Sequence, residues 1–307
     1  MTLNLKEYFP EKFLTKLSLQ TKNKNQSISD SHMPLISVVM PSFNQVKYIE
    51  KSILSVLNQD YPNKELIIVD GGSKDGTLQL IKKYKNYIKY WVSEKDRGQS
   101  DALNKGFKVC KGEIYCWLNS DDVFLPGTFT TISKILMQNK KKKLCFGDWV
   151  SIDSNSNITD VHYAFDLNIN HFKYEGFHLN AQSLFWLKEV HDNFSGFDLK
   201  LNKTMDYQMI LEFALKQSAT AFIRVDKILG GFRRYHGQKT GDYNLEEHKE
   251  HQYLSKLYKY EDKYSLNGKI KRFFYRFRRA FWYFKRGGVK ELLKRLQKWQ
   301  ILSINQN

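Results

Sequence analysis

The chain reads as an α/β protein with a mostly parallel central sheet, followed by a basic, amphipathic α-helical tail. Three observations predict this. Apolar runs of strand length alternate with helical stripes over residues 34–125. Two of those runs stop abruptly, one at Pro41 and one at Asp70 followed by Gly71-Gly72. The composition then changes sharply after Asn267.

Residues 1–33 are polar and rich in Lys, Asn and Ser after a short amphipathic start, and Met33-Pro34 closes this appendage. Leu35 to Met40 is β-branched and apolar, a buried parallel strand that stops at Pro41. From Tyr48 to Gln59, Ile49, Ile53, Leu54, Val56 and Leu57 form a helical stripe, ended by Tyr61-Pro62-Asn63. Glu65 to Asp70 is the second strand. A helix from Thr77 to Tyr84, a strand near Tyr87 to Val92, a helix from Asp101 to Val109 and a strand from Ile114 to Leu118 continue the alternation. Residues 126–240 complete the body of 34–240, with an apolar helical run through Met209, Ile210, Phe213 and Ala214. Residues 241–307 are the extension. Between Gly268 and Lys298 twelve basic residues face a single acid, Glu291, so this segment alone carries +11. Phe273, Phe277, Phe281 and Phe284 recur at helical spacing, and Gly287-Gly288 breaks the run before Val289, Leu292, Leu293, Leu296 and Trp299 resume it. Two basic amphipathic helices are predicted here.

Composition excludes several classes. With 41% hydrophobic residues in 307, the chain buries one large core or two small ones and is neither disordered nor a small disulfide scaffold. Its three cysteines, Cys110, Cys116 and Cys145, show no C-x-x-C spacing, which argues against a disulfide framework and a cysteine zinc site and fits a reducing cytoplasm. Met1 to Phe13 interleaves charges with its apolar residues, unlike a signal peptide, and no uncharged apolar run reaches the roughly 18 residues of a membrane span. The net charge of +17 calls for a polyanionic partner. Because that charge is concentrated in the tail, and no helix-turn-helix, zinc finger or RNA-binding aromatic motif occurs, no nucleic-acid partner is expected. Lys140 to Lys143 reads as a solvated loop.

In a parallel α/β sheet the ligand sits beyond the carboxyl ends of the strands, so Pro41–Asn44, Asp70–Asp75, Glu94–Asp101 and Asn119–Asp122 should meet in one crevice. Asp121 and Asp122, adjacent at a strand end, repel unless they share a cation such as a divalent metal on a diphosphate; the alternative is an acidic turn capping a helix. After Asp70 the small residues let a ligand approach the backbone, and Asp75 is expected mainly as a helix cap. Neither G-x-G-x-x-G nor G-x-x-x-x-G-K-[ST] is present, which disfavours a dinucleotide cofactor and a P-loop. A nucleotidyltransferase on the same plan would need a Gly-rich, basic triphosphate signature that is also missing.

Pro41-Ser42-Phe43-Asn44, Val69-Asp70-Gly71-Gly72-Ser73-Lys74-Asp75-Gly76-Thr77, Asp96-Arg97-Gly98-Gln99-Ser100-Asp101 continuing to Gly106, and Asn119-Ser120-Asp121-Asp122 occur in this order. The series resembles the family 2 inverting glycosyltransferases over residues 34–240. The resemblance implies a GT-A fold, with a nucleotide-sugar half at 34–125 and an acceptor half at 126–240. Pro41, Phe43, Asn44 and Asp70 then match positions around the base, and Arg97, Gln99, Asp101, Asn119, Ser120 and Asp121 line the nucleotide sugar, Asp121 at the ribose. Asp122 matches the ligand of Mn²⁺ or Mg²⁺. The chain departs from the family in having Gly71 where a second Asp is common, and Asn119 where a strict Asp-x-Asp has Asp.

Further along, Thr204-Met205-Asp206-Tyr207-Gln208 opens a helical run, and the resemblance makes Asp206 the catalytic base; the residue pattern alone also permits a helix cap. Gly230 to Thr240 resembles the family's closing motif, with His236 a third metal ligand and Arg233 and its basic neighbours on the phosphates. Gln182, in His178-Leu179-Asn180-Ala181-Gln182-Ser183, falls in the acceptor region. The expected partners are a nucleotide-diphosphate sugar, probed first as a UDP-sugar, and a glycan or lipid-linked acceptor of bacterial surface polysaccharide synthesis. The tail, with Trp282 and Tyr283 beside the Phe stripe, is expected to hold the enzyme on the anionic inner face of the cytoplasmic membrane.

Overall fold

A computed structural model describes residues 33–175, 179–239 and 245–304. In chain order its elements are β1 Ile36–Ser42, α1 Ile49–Leu57, β2 Lys64–Asp70, α2 Thr77–Lys83, β3 Tyr90–Ser93, α3 Gln99–Val109, β4 Ile114–Trp117, β5 Val123–Phe124, α4 Thr128–Gln138, β6 Leu144–Ile152, β7 Ile158–His162, α5 Ile169–Glu175, β8 Leu184–Leu187, α6 Lys188–Asp192, α7 Met205–Lys216, β9 Phe222–Arg233, α8 Leu245–Leu257 and α9 Leu266–Ile304. Two compact units result, one reaching Asp166 and resuming from His178 to Glu250, the other made of Leu167–Phe177 and the chain from His251. The appendage at 1–32 lies outside the described residues.

The first unit is built on one sheet in the order β3-β2-β1-β4-β8-β6-β9-β5, with β7 on β6. Its first four strands are parallel, as the alternation of strand and helix requires. Every residue of β1 is buried, which explains an unbroken apolar run instead of an alternating one. Ile36, Val38 and Met40 meet Ile49, Ile53 and Val56 of α1 on one face. On the other, α3 approaches so closely that a Cβ on Gly106 would lie 2.4 Å from Val39 Cγ1. Beyond β4 the sheet mixes directions: β8 is antiparallel to β4 and β6, whereas β6 and β9 run parallel.

β1 does not stop at Pro41 but continues through it to Ser42. Pairing with β4 ends at Val39 and Trp117, closed by a Leu118 N–H to Val39 carbonyl bond of 3.0 Å, while pairing with β2 runs on to Ser42 and Asp70. Val39 and Pro41 point their backbone groups the same way, so the N–H that proline lacks would face the side where β4 has already left. Ser42 still accepts from Gly71 N–H at 2.8 Å on the β2 side.

In the second unit α5 packs on α9. Tyr174 stacks with Tyr275 at 6.0 Å, and Lys271 Nζ sits 5.1 Å over the Tyr174 ring. α9 is broken at Gly288 (φ 67°, ψ −165°), where the two-helix reading expected a break. Phe273, Phe277, Phe281 and Phe284 are 75, 69, 59 and 44% exposed. Among the described residues no helix is long and apolar enough to cross a membrane.

Candidate active site

The strand ends of the parallel half do converge. Gly71 N–H to Ser42 brings the β1 and β2 exits together, and Asn44 stitches them further: its N–H donates to Ser73 Oγ at 2.7 Å and its Oδ1 accepts from Lys74 N–H at 3.0 Å. Asn44 adopts φ 50°, a conformation Asn tolerates better than most residues. This leaves Phe43 60% exposed at the mouth of the crevice, while Pro41 is buried and shapes the strand exit. Asp70 is fully buried and accepts from Gly72 N–H (3.2 Å), Ser73 N–H (2.9 Å), Ser73 Oγ and Ser93 Oγ (2.6 Å). Its carboxylate therefore holds the loop. Asp75 accepts from Thr77 N–H and from Val46 N–H, each at 3.0 Å, tying the start of α2 to the β1 exit. Burial alone would raise its carboxyl, but the bonds from Thr77 and Val46 outweigh that and hold it below the usual range.

Asp121 and Asp122 lie in the turn between β4 and β5. Asp122 is fully buried; its Oδ1 accepts from Arg233 N–H at 2.8 Å and its Oδ2 from Asn119 Nδ2 at 3.2 Å. Asp121 Oδ2 accepts from Tyr235 O–H at 2.8 Å. Burial pushes both carboxyls up, Asp122 well above the ordinary range and further raised by the charge of Asp121. Asn119 explains one departure from the family pattern: its amide donates to Asp122, where an Asp would add a third negative charge. Ser120 is buried in the same turn.

The expectation for Arg233 is corrected. Its side chain is 0% exposed, so it does not present itself to phosphates. Nε donates to the Asp121 carbonyl and Nη1 to the Asp153 carbonyl, both at 2.8 Å, while the guanidinium carbon lies 4.8 Å from the Tyr48 ring centre. Arg233 is a brace that fixes the acid pair from the end of β9.

Along α3, Asp101 is buried and accepts from the backbone N–H and guanidinium of Arg97 at 3.2 and 3.3 Å, whose side chain is otherwise exposed. Asp101 thus positions Arg97. Gln99 starts a chain of hydrogen bonds across the crevice: Lys239 Nζ donates to Gln99 Oε1 (3.4 Å), Gln99 Nε2 to Asn119 Oδ1 (2.8 Å), and Asn119 Nδ2 to Asp122. Lys239 also lies near Asp206.

Asp206 stands in the first turn of α7, yet it does not cap it. The cap position is Thr204, whose N–H and Oγ1 both bond Glu250. Asp206 Oδ1 accepts from the adjacent Tyr207 N–H at 2.7 Å. Burial pushes its carboxyl up to about 6, against the Tyr207 bond, with Glu247 raising it and Lys239 lowering it. Gln182 is 1% exposed with neither amide atom hydrogen-bonded, packed against Gly230 of β9. His236 is exposed in the turn after β9, and among the described residues no three His, Cys, Asp or Glu side chains converge as a metal site. The all-oxygen Asp121–Asp122 pair nevertheless fits a hard divalent ion completed by water and phosphate oxygens, because such a charge relieves the repulsion that burial intensifies. Sequence reasoning assigned no role to Tyr48 or Tyr235, whose rings meet at 4.7 Å, tilted by 48°, beside the acid pair; only the Arg-Arg-Tyr-His run hinted at Tyr235.

A sheet curled in this way, with acids at the strand ends, is the GT-A glycosyltransferase architecture, and solved structures of that class superpose on it. The S. aureus TarS structure in complex with UDP-GlcNAc matches with a TM-score of 0.59 and 19% identity over 73% of this chain and 65% of that one. Residues 37–205, more than half of the chain, match the sequence profile of glycosyl transferase family 2, and the chain belongs to that family. An uncharacterized glycosyltransferase of Rickettsia typhi is 30% identical over 200 residues, 63% of this chain and 62% of that protein. The chondroitin synthase of Escherichia coli is 26% identical over 258 residues, 80% of this chain and 37% of that protein. The chain spans less than two thirds of the length of these relatives.

Proposed function

We propose that this enzyme transfers a sugar, with inversion, from a UDP-sugar to a hydroxyl of a glycan or lipid-linked acceptor in bacterial surface polysaccharide synthesis. One observation carries the reading: the bond chain Lys239–Gln99–Asn119–Asp122 ties the acid pair to the neighbourhood of Asp206, a carboxylate poised near neutrality. Asp206 takes the acceptor's proton as that oxygen attacks the anomeric carbon, and the bond from this carbon to the diphosphate breaks on the opposite face, releasing the nucleoside diphosphate. Phe43 stacks on the base, Asp70 and Asn44 hold the loop beneath it, and Arg97 reaches the nucleotide. Gln182 offers its buried amide to the acceptor. A divalent ion at Asp122, with Asp121 beside it and His236 available, would neutralise charge on the leaving diphosphate. The UDP-GlcNAc bound to TarS and the polysaccharide named in the chondroitin synthase support the donor and product classes.

Turnover of UDP-sugars with Mn²⁺ tests this directly. Asp122→Ala and EDTA should each abolish it, and full activity under either would remove the metal from the mechanism. The exposed Phe stripe, together with the basic charge of the tail, supports peripheral attachment to an anionic membrane. Flotation of the chain with anionic liposomes should weaken with salt and fail in a Phe273→Glu/Phe277→Glu/Phe281→Glu variant; equal flotation of both forms contradicts the attachment.

A further inference from the structure

α7 has Thr204 at its cap position, a residue type that ordinarily turns its hydroxyl back onto the first helical N–H groups, yet here the hydroxyl makes no such bond. It donates outward to Glu250 Oε2 at 2.8 Å, and the Thr204 N–H joins it there at 2.9 Å. Glu250, in α8 and only 7% exposed, also accepts from Lys203 N–H, 3.2 and 3.0 Å from its two oxygens, and from Asn202 N–H at 2.7 Å. One buried carboxylate therefore gathers three consecutive backbone N–H groups and a hydroxyl, and such charge-assisted bonds are strong and directional. They fix the path by which the chain enters the helix that carries Asp206 two residues later. Glu247, on the same α8, acts on the charge of Asp206. The family profile ends at residue 205, before Asp206 and before α8.

We propose that Glu250 is a positioning residue of the transfer reaction, setting where Asp206 stands by clamping the backbone of residues 202–204 from α8. This rests on the reading of Asp206 as the base. A base acts only within hydrogen-bond reach of the hydroxyl it serves, and a displacement of about 1 Å at the start of α7 costs on the order of a hundredfold in rate. α8, which the sequence placed in the extension, is then part of the catalytic machinery. A second buried carboxylate provides the internal contrast. Glu212, later in α7 and 1% exposed, accepts from Ser195 N–H at 2.8 Å, from Ser195 Oγ at 2.6 Å and from Lys216. It holds a loop as Glu250 does, but at residues that do not lead into Asp206.

Initial rates of the full chain with a UDP-sugar, beside UDP calorimetry and thermal melts, test the proposal. In Glu250→Gln, whichever way the amide turns, a donor faces a backbone N–H, so kcat should fall about 10- to 100-fold while donor KM and UDP affinity hold. Thr204→Val removes only the hydroxyl donor and should lower kcat in the same sense, and Thr204→Ser, which keeps the donor, should restore it. Glu212→Gln should lower the melting temperature as Glu250→Gln does and retain the wild-type kcat. Wild-type kcat in Glu250→Gln, or an equal fall of kcat in Glu212→Gln, overturns the positioning role. A wild-type chain that turns over no UDP-sugar, or an Asp206→Asn variant that transfers at the wild-type rate, overturns the underlying reading of Asp206, and the role of Glu250 falls with it.

Discussion

The loop after β2 and the start of α7 each hold a carboxylate, Asp75 exposed and Asp206 half-buried, and the two are treated oppositely. Asp75 receives N–H groups from Thr77 and Val46 and is held below the ordinary carboxylate range, whereas Asp206, with the N–H of Tyr207 and its own, rises to about 6. Burial acts on both in the same direction. The difference lies first in burial: around the exposed Asp75 the bonds from Thr77 and Val46 outweigh a small burial penalty, and the acid keeps its charge for structure, whereas the enclosed Asp206 carries a penalty its backbone bonds do not offset and is left ready to take a proton.

The largest effect should come from Asp206→Asn. Transfer should fall by about two to four orders of magnitude with UDP affinity retained, measured by turnover and calorimetry side by side. The same variant should be more stable than the wild type at neutral pH. The folded-state carboxyl is raised from 3.8 to about 6, so the native chain binds the extra proton between those values and loses stability as pH rises through them. Thermal melts should show the variant's advantage above pH 6 and its disappearance below 3.8. Catalysis should follow the opposite course, with kcat/KM climbing through about pH 6 as Asp206 ionises beside Glu247 and Lys239. A profile flat from pH 5 to pH 8 would show that these two carboxylates do not differ in the way the contacts require.

Asp70→Asn should behave in reverse, losing stability without a selective loss of chemistry. An amide turns one acceptor into a donor facing Gly72, Ser73 or Ser93, and chemical denaturation should register a loss of about 1–3 kcal/mol. Asp75→Ala is expected to cost about 1 kcal/mol, as for other helix-start acceptors, and to weaken UDP binding slightly as the β1 exit loosens. If Asp75→Ala instead abolished turnover while UDP still bound, the β2 exit would be doing chemistry and the contrast would fail.

How much of this was legible in the sequence follows the same division. The parallel half declared itself because its contacts are local in pattern: each strand is an unbroken apolar run, each strand end a short cluster of Pro, Gly, Asp or Asn. Asp121 and Asp122 were recognisable as a pair, and Asp75 as an acceptor at the start of α2, although the cap position itself is Gly76. The mixed half was not, since β9, Phe222–Arg233, carries Arg224, Asp226 and Lys227 in an irregular register with β6 that no alternation rule anticipates. Arg233 was misassigned for that reason. An Arg beside phosphate-like motifs reads as a phosphate ligand, and only the strand's register reveals that it is enclosed beneath the acid pair. The segment Leu167–Phe177, read as part of the acceptor half, groups with the tail through Tyr174 and Tyr275, a pairing more than a hundred residues apart in sequence.

The brace formed by Arg233 has a consequence for biosynthesis. Asp121 and Arg233 are separated by 112 positions, yet the backbone N–H of Arg233 holds the Asp122 carboxylate and its guanidinium holds the Asp121 carbonyl. As the chain emerges from the ribosome, the acid pair appears first and the end of the strand that locks it appears more than a hundred residues later. The closure of β9 against β5 and β6 is therefore the event that sets the acid pair, and folding must bridge that long separation first. A chain arrested before β9 would possess every strand-end motif of the parallel half and still lack an organised acid pair, so the order of synthesis itself delays the setting of that pair until the sheet is closed.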